Sequence, residues 1–166
     1  MPEALFERLH KEISETQQRR EKLQLLKIAF VSALLGFGGS DFKQIGSLYQ
    51  ALYVVPLFTT FFDLLIIGEH FSVRRVGTFL RLCSPNDSER VYESFVGKNR
   101  DVFFKLGSVG FTLISYFAAV VLLWRSKHFR HWLEWVWFVV LFLIFALSNW
   151  YGGRRLRKLD QLSQIS

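Results

Sequence analysis

Cysteine is nearly absent from this chain of 166 residues, and histidine is scarce. The single cysteine, Cys83, excludes an internal disulfide and a cluster of thiolate metal ligands. The sequence also lacks a Gly-rich phosphate loop, a G-x-S-x-G elbow and an H-E-x-x-H motif. Its four histidines are too few for a membrane oxygenase with two metal ions. We therefore predict a protein that is not an enzyme and that needs no cofactor.

Apolar residues are abundant instead. Hydrophobic residues make up 51% of the chain and aromatic residues 17%. A soluble chain of this length would leave much of that surface in contact with water, whereas a lipid bilayer accommodates it. Charged stretches alternate with the apolar ones along the chain. The sequence therefore predicts an all-α integral membrane protein.

Four apolar stretches predict transmembrane helices, at about residues 23–38, 47–67, 102–123 and 133–150. Three other segments are predicted to be cytoplasmic: an amphipathic helix over residues 1–22, a loop over residues 68–101 and a basic tail over residues 151–166. Within the loop we expect an amphipathic helix in the headgroup plane over residues 71–82 and a second helix capped by Ser84. The first span is short for a hydrocarbon core of about 30 Å, and Lys27 interrupts it.

The basic residues predict the orientation of these spans. With four spans, 17 of the 21 Lys and Arg residues fall on one side of the membrane. The positive-inside rule then places both termini in the cytoplasm, most simply at the inner membrane of a bacterium. Contact with lipid headgroups accounts for the net charge of +7, so we do not expect nucleic acid as a partner.

Asp63 is the most informative single residue, because a carboxylate inside a membrane is costly and usually marks a function or an ion pair. Lys27 and Lys105 lie at a comparable depth near the ends of the first and third spans. An ion pair of Asp63 with either lysine would hold those helices together. The alternatives are a role in handling protons or cations, and extension of the side chain to the headgroups.

Small residues recur in the third span at helical spacing: Gly107, Ser108, Gly110 and Ser115. Such residues let helices approach closely in lipid, where packing replaces the hydrophobic effect as the driving force. Together with the short first span, they predict a homo-oligomer in the bilayer.

Two further groups of polar residues suggest binding. One is a set of arginines beside the spans that predicts contact with headgroups or, alternatively, with a specific anionic ligand: Arg74, Arg75, Arg81, Arg154 and Arg155. The other is the spacing His128, His131 and Glu134, which could in principle hold a metal ion. Because basic residues surround it, we interpret it as an interfacial polar group and predict no metal site.

The leading functional hypothesis is an oligomeric membrane subunit or scaffold that engages a cytoplasmic partner. The alternative is a small channel or membrane-disrupting effector of a bacterial stress or antiviral system, gated by an anionic signal or partner at its cytoplasmic face. Pore lining distinguishes them, and no span shows a clear polar stripe. A lipid-modifying enzyme would need acidic residues clustered at one interface, and Asp63 and Glu69 alone are too few.

Overall fold

The computed structural model describes residues 3–39, 50–84, 86–98, 102–125 and 132–162. In that part of the chain every residue except Ser84 and Asn86 is helical, and no strand occurs. Five helices follow one another: α1 (Glu3–Gly39), α2 (Gln50–Cys83), α3 (Asp87–Lys98), α4 (Val102–Arg125) and α5 (Trp132–Leu162). The prediction of an all-α protein is confirmed.

Three stretches of helix are long and apolar enough to cross a bilayer: Gln50–Cys83, Leu106–Arg125 and Trp132–Arg155. They support an integral membrane protein, as the sequence predicts. α1 is not among them. The fourth predicted span, residues 23–38, therefore stays a prediction.

α1 and α2 form a long antiparallel pair. Phe6, near the start of α1, packs with Leu80, near the end of α2, whereas Lys27 bonds to Asp63. At about 1.5 Å per residue both helices exceed 50 Å, well beyond a hydrocarbon core of about 30 Å. In each helix one half is largely apolar and the other is rich in charged residues, and the two charged halves lie beside each other.

The polar halves of α1 and α2, together with α3, form what we call the stalk: residues 3–22, residues 68–83 and residues 87–98. Its apolar contact comprises Phe6, Val76 and Leu80, with Leu9 and Ile13 against them. Residues 71–82 are an unbroken part of α2, so the prediction of a separate helix in the headgroup plane is wrong. The apolar stripe of that segment, which includes Val76 and Leu80, packs against α1 instead of lipid.

α3 follows a short turn and contacts α2. Asn86, and not Ser84 as predicted, caps the helix, because Asn86 Oδ1 accepts a hydrogen bond from the backbone N–H of Ser88 at 3.0 Å. Ser84 Oγ accepts the backbone N–H of Asn86 at 3.1 Å. The two hydrogen bonds fix the turn that leads from α2 into α3.

α2 is the central helix and contacts each of the other four. α4 runs antiparallel to α2. Thr112 of α4 lies beside Asp63, and Tyr116, one turn later on α4, lies beside Thr60, which comes earlier on α2. The largest apolar core joins α1, α2, α4 and α5: Val31, Leu52, Val55, Tyr116, Ala119, Leu123, Phe138 and Leu141. This core lies on the side of the ion pair away from the stalk.

α5 runs parallel to α2. Trp137 Nε1 donates a hydrogen bond to the carbonyl of Tyr53 at 3.0 Å near one end of the contact. Near the other end, a Cβ on Gly152 would lie 3.1 Å from Cγ2 of Ile67. Because α2 and α5 share a direction, the start of α1 and the end of α5 lie at the same end of the bundle, the end that carries the stalk.

Candidate functional site

A buried ion pair joins α1 to α2. Lys27 Nζ lies 2.6 Å from Asp63 Oδ1, and the two side chains are 1% and 7% exposed. Of the two lysines that the sequence offers as partners for Asp63, the structure brings Lys27 to it. The side chain of Lys105 lies outside the described residues.

α4 adds two hydroxyl groups to this pair. Ser108 Oγ donates to Asp63 Oδ1 at 3.1 Å, and Thr112 Oγ1 donates to Asp63 Oδ2 at 2.5 Å. Because the two residues are four positions apart, both hydroxyls lie on the same face of α4. The carboxylate thus accepts hydrogen bonds on both oxygens.

The ammonium group of Lys27 is equally well supplied. Its three protons meet three close acceptors: Asp63 Oδ1 at 2.6 Å, Thr112 Oγ1 at 2.6 Å and the carbonyl of Ser108 at 3.1 Å. The ring of Phe111 lies 5.6 Å from Nζ, within the range of a cation–π contact. We call Lys27, Asp63, Ser108 and Thr112 the polar cluster.

Burial makes the polar cluster consequential for stability. Two charges removed from solvent are tolerated only when their remaining protons and lone pairs are also satisfied, as they are here. Loss of one partner from such a pair typically costs about 3–5 kcal/mol, because the other charge is left buried and uncompensated. The polar cluster therefore ties α1, α2 and α4 together at one level of the bundle.

A second polar contact lies one helical turn away from the polar cluster. Tyr116 donates its hydroxyl proton to the carbonyl of Pro56 at 3.1 Å, and its oxygen lies 2.6 Å from the hydroxyl of Thr60. The tyrosine ring contacts three phenylalanines of α5: Phe138, Phe142 and Phe145. Tyr116 thus links α2, α4 and α5 at the level of Pro56, the proline inside α2.

The residues predicted to pack helices together divide into two kinds. Gly107 and Gly110 meet no atom within 4 Å of a Cβ built on them, so the fold of a single chain does not require their small size. Ser108 and Ser115 are buried but form hydrogen bonds, and Ser115 donates to the carbonyl of Phe111 at 2.7 Å. Packing of these residues between copies stays a prediction.

The predicted basic residues lie on two helices: Arg74, Arg75 and Arg81 on α2, and Arg154 and Arg155 on α5. The guanidinium carbon of Arg154 lies 3.9 Å from the ring centroid of Trp150. That of Arg155 lies 4.9 Å from the ring centroid of Tyr151. Both groups of arginines lie at the stalk end of the bundle, because α2 and α5 are parallel.

The polar cluster offers no free reactive group. Both oxygens of Asp63 and all three protons of Lys27 are engaged in hydrogen bonds inside the chain. Among the residues that the structure describes, no group of three or more His, Cys, Asp or Glu could hold a metal ion. Glu134 lies in the first turn of α5, while His128 and His131 are outside the described residues.

Sequence reasoning assigned Ser108 to packing and counted Ser108 and Thr112 among the few polar side chains of the third span, but it placed neither of them beside Asp63 and did not single out Tyr116. A signal for two of them was present, since hydroxyls at positions 108 and 112 share a helical face at the depth of Asp63. An ion pair inside a membrane needs such additional hydrogen-bond partners. For Tyr116 the sequence held no comparable signal, because its partners on α2 are a hydroxyl and a backbone carbonyl.

The chain matches no protein-family model, no curated protein and no solved structure.

Proposed function

We propose that this protein is a non-enzymatic membrane subunit that works as an oligomer and engages a cytoplasmic protein through its stalk. The proposal rests on an apolar face of α3. Val91, Tyr92 and Phe95 are 70%, 63% and 61% exposed. Their spacing places them on one side of the helix. We call these three residues the α3 face.

The proposal places the α3 face outside the bilayer, where its apolar side chains would be in contact with water. The apolar stretch of α2 ends near Gly68, and at about 1.5 Å per residue Cys83 lies roughly 20 Å farther along. α3 follows Cys83 after a short turn and contacts α2. Large apolar side chains that share one exposed side of a helix in water are typical of protein–protein contacts. The α3 face suits the apolar side of a partner helix.

The polar cluster supports the same function from within the membrane. It joins α1, α2 and α4 at the base of the stalk, through contacts that are almost fully buried. α1 and α2 are continuous helices that extend from the polar cluster into the stalk. Contacts at the polar cluster therefore fix the orientation of the stalk relative to the membrane part of the protein. A scaffold that presents a partner at a defined height above the membrane needs such a base.

Uncovered apolar surface supports the oligomer. Only 33% of the α4 span and 17% of the α5 span are buried within the chain. Lipid covers such surfaces in a monomer, and a second copy can replace part of that lipid. Orientation with both termini in the cytoplasm belongs to this proposal, because the positive-inside rule assigns the stalk to that side.

The channel hypothesis is less well supported. Six polar side chains in the middle of the α2 and α4 spans are buried and hydrogen-bonded inside one chain: Thr59, Thr60, Asp63, Ser108, Thr112 and Ser115. Their polar groups are therefore not available to line a pore between copies. Ion flux into liposomes that contain the purified protein tests the alternative. We expect none at any membrane potential, and a flux that Asp63→Asn changes would favour the channel.

A photo-crosslinking amino acid at position 92 tests the proposed partner contact in living cells. We expect Tyr92 replacement to give a protein adduct of one defined mass, which disappears when Val91→Glu and Phe95→Glu are combined. Gln17→Glu with Gln18→Glu is the matched control, since both glutamines are exposed on α1 of the stalk. An adduct with lipid alone, or one that persists in the V91E/F95E variant, would contradict the proposal.

A further inference from the structure

The end of the apolar part of α5 carries two arginine–aromatic pairs. Arg154 lies over Trp150 and Arg155 over Tyr151, each one helical turn after its ring. All four side chains are exposed. The pairs occupy neighbouring positions on the helix, so the two arginines lie about 100° apart around its circumference.

The level of these pairs is the membrane surface. The apolar stretch of α5 ends with Trp150 and Tyr151, and a polar segment that begins Gly152, Gly153, Arg154 and Arg155 follows it. Gly152 packs against Ile67 of α2, just before the apolar stretch of α2 gives way to Gly68 and Glu69. Two neighbouring helices therefore change from apolar to polar at the same height. Tryptophan and tyrosine rings favour this interfacial layer, where the lipid headgroups lie.

The two arginines are available to a ligand. Neither Arg154 nor Arg155 forms an ion pair or hydrogen bond with another side chain in the described part of the chain. The cation–π contact restricts each guanidinium group to the surface of its ring. It leaves the N–H donors free to form hydrogen bonds, and the planar fork of arginine matches the oxygens of a phosphate group.

We propose that Arg154 and Arg155, with Trp150 and Tyr151, form a binding site for the phosphate of an anionic phospholipid in the leaflet that faces the stalk. The rings lie at the level of the glycerol backbone and the guanidinium groups at that of the phosphate. Two adjacent positive charges favour a lipid with net negative charge over a zwitterionic one. The site is independent of the partner contact at the α3 face.

Native mass spectrometry of the full-length protein in detergent tests this site. The probes are phosphatidylglycerol and phosphatidylcholine with identical acyl chains. At about tenfold per 1.4 kcal/mol and roughly 1 kcal/mol per basic residue, two arginines correspond to a preference of roughly 30-fold for phosphatidylglycerol. We expect this preference in the wild type and its loss in the Arg154→Gln, Arg155→Gln double variant.

Three comparisons make the result decisive. Lys11→Gln with Arg19→Gln removes the same charge from exposed positions of α1 and should keep the preference. Trp150→Leu keeps both charges and should weaken it, because the ring no longer positions Arg154. An excess of inorganic phosphate should not displace the lipid. Equal preference in the R154Q/R155Q and K11Q/R19Q variants, or complete displacement by phosphate, would overturn the proposal; displacement would indicate a soluble phosphate ligand instead.

Discussion

Lys27 on α1 and Asp63 on α2 are 36 residues apart in sequence and 2.6 Å apart at their charged atoms. The hydroxyls of Ser108 and Thr112 on α4 complete the polar cluster. A lysine that would be costly in lipid thus becomes part of the packing of a single chain. Lys27 needs no neighbouring copy of the chain to satisfy its charge.

Removal of either charge alone should destabilise the protein more than removal of both. We expect Lys27→Met and Asp63→Leu each to lower the free energy of unfolding by about 3–5 kcal/mol, because each leaves a buried polar partner unsatisfied. The combination of Lys27→Met with Asp63→Leu should recover a large part of that loss. Thermal unfolding of the purified variants in one detergent measures this. Additive effects of the two substitutions would show that the residues are not paired.

Thr112 should matter far more than an equally buried threonine in the same bundle. Thr112→Val removes one acceptor from Lys27 and one donor from Asp63, at a cost of about 1–3 kcal/mol for each group left unsatisfied. Thr59→Val is the matched control: Thr59 is also 0% exposed, but its hydroxyl bonds only to carbonyls of its own helix. Denaturation midpoints of the two variants provide the measurement. Similar midpoints would argue against the polar cluster.

Gly152 should be sensitive to size and Gly153 should not. A Cβ at position 152 would lie 3.1 Å from the side chain of Ile67, whereas one at position 153 meets no atom within 4 Å. Gly152→Leu should therefore separate α5 from α2 and reduce stability by about 1–3 kcal/mol, as overpacking does. Gly153→Leu is the control. If melting temperatures fall equally, the close contact between α2 and α5 is not formed.

Cys83, the only cysteine, reports the orientation of the stalk. It is exposed at the end of α2. With the stalk in the cytoplasm, a membrane-impermeant maleimide should label Cys83 in inverted inner-membrane vesicles and leave it unlabelled in intact cells. Cys83→Ser is the blank for the assay. Labelling in intact cells would place the stalk outside and reverse the proposed topology.

The fold class could be predicted from the sequence because it depends on the local pattern of apolar residues. Apolar stretches of sufficient length predict helices in a bilayer whatever their neighbours, and three of them are present in the structure. The end of α2 at Cys83 could not be predicted from the local sequence. Gly68, Glu69 and His70 resemble an exit from the membrane, but a helix continues through such residues when another helix covers its apolar stripe.

The candidate site divides along the same line. The presence of Asp63 in an apolar stretch predicts a partner for its charge, because a lone carboxylate in lipid is costly. Depth along the chain leaves Lys27 and Lys105 as equivalent partners. Only the rotation and antiparallel register of α1 against α2 decide for Lys27. The rotation and register of these helices depend on side-chain packing between segments that are distant in sequence. The position of Thr112 beside Asp63 depends on the same kind of packing. The sequence alone thus determined a membrane protein with a charge to be paired, and the tertiary structure decided the pair.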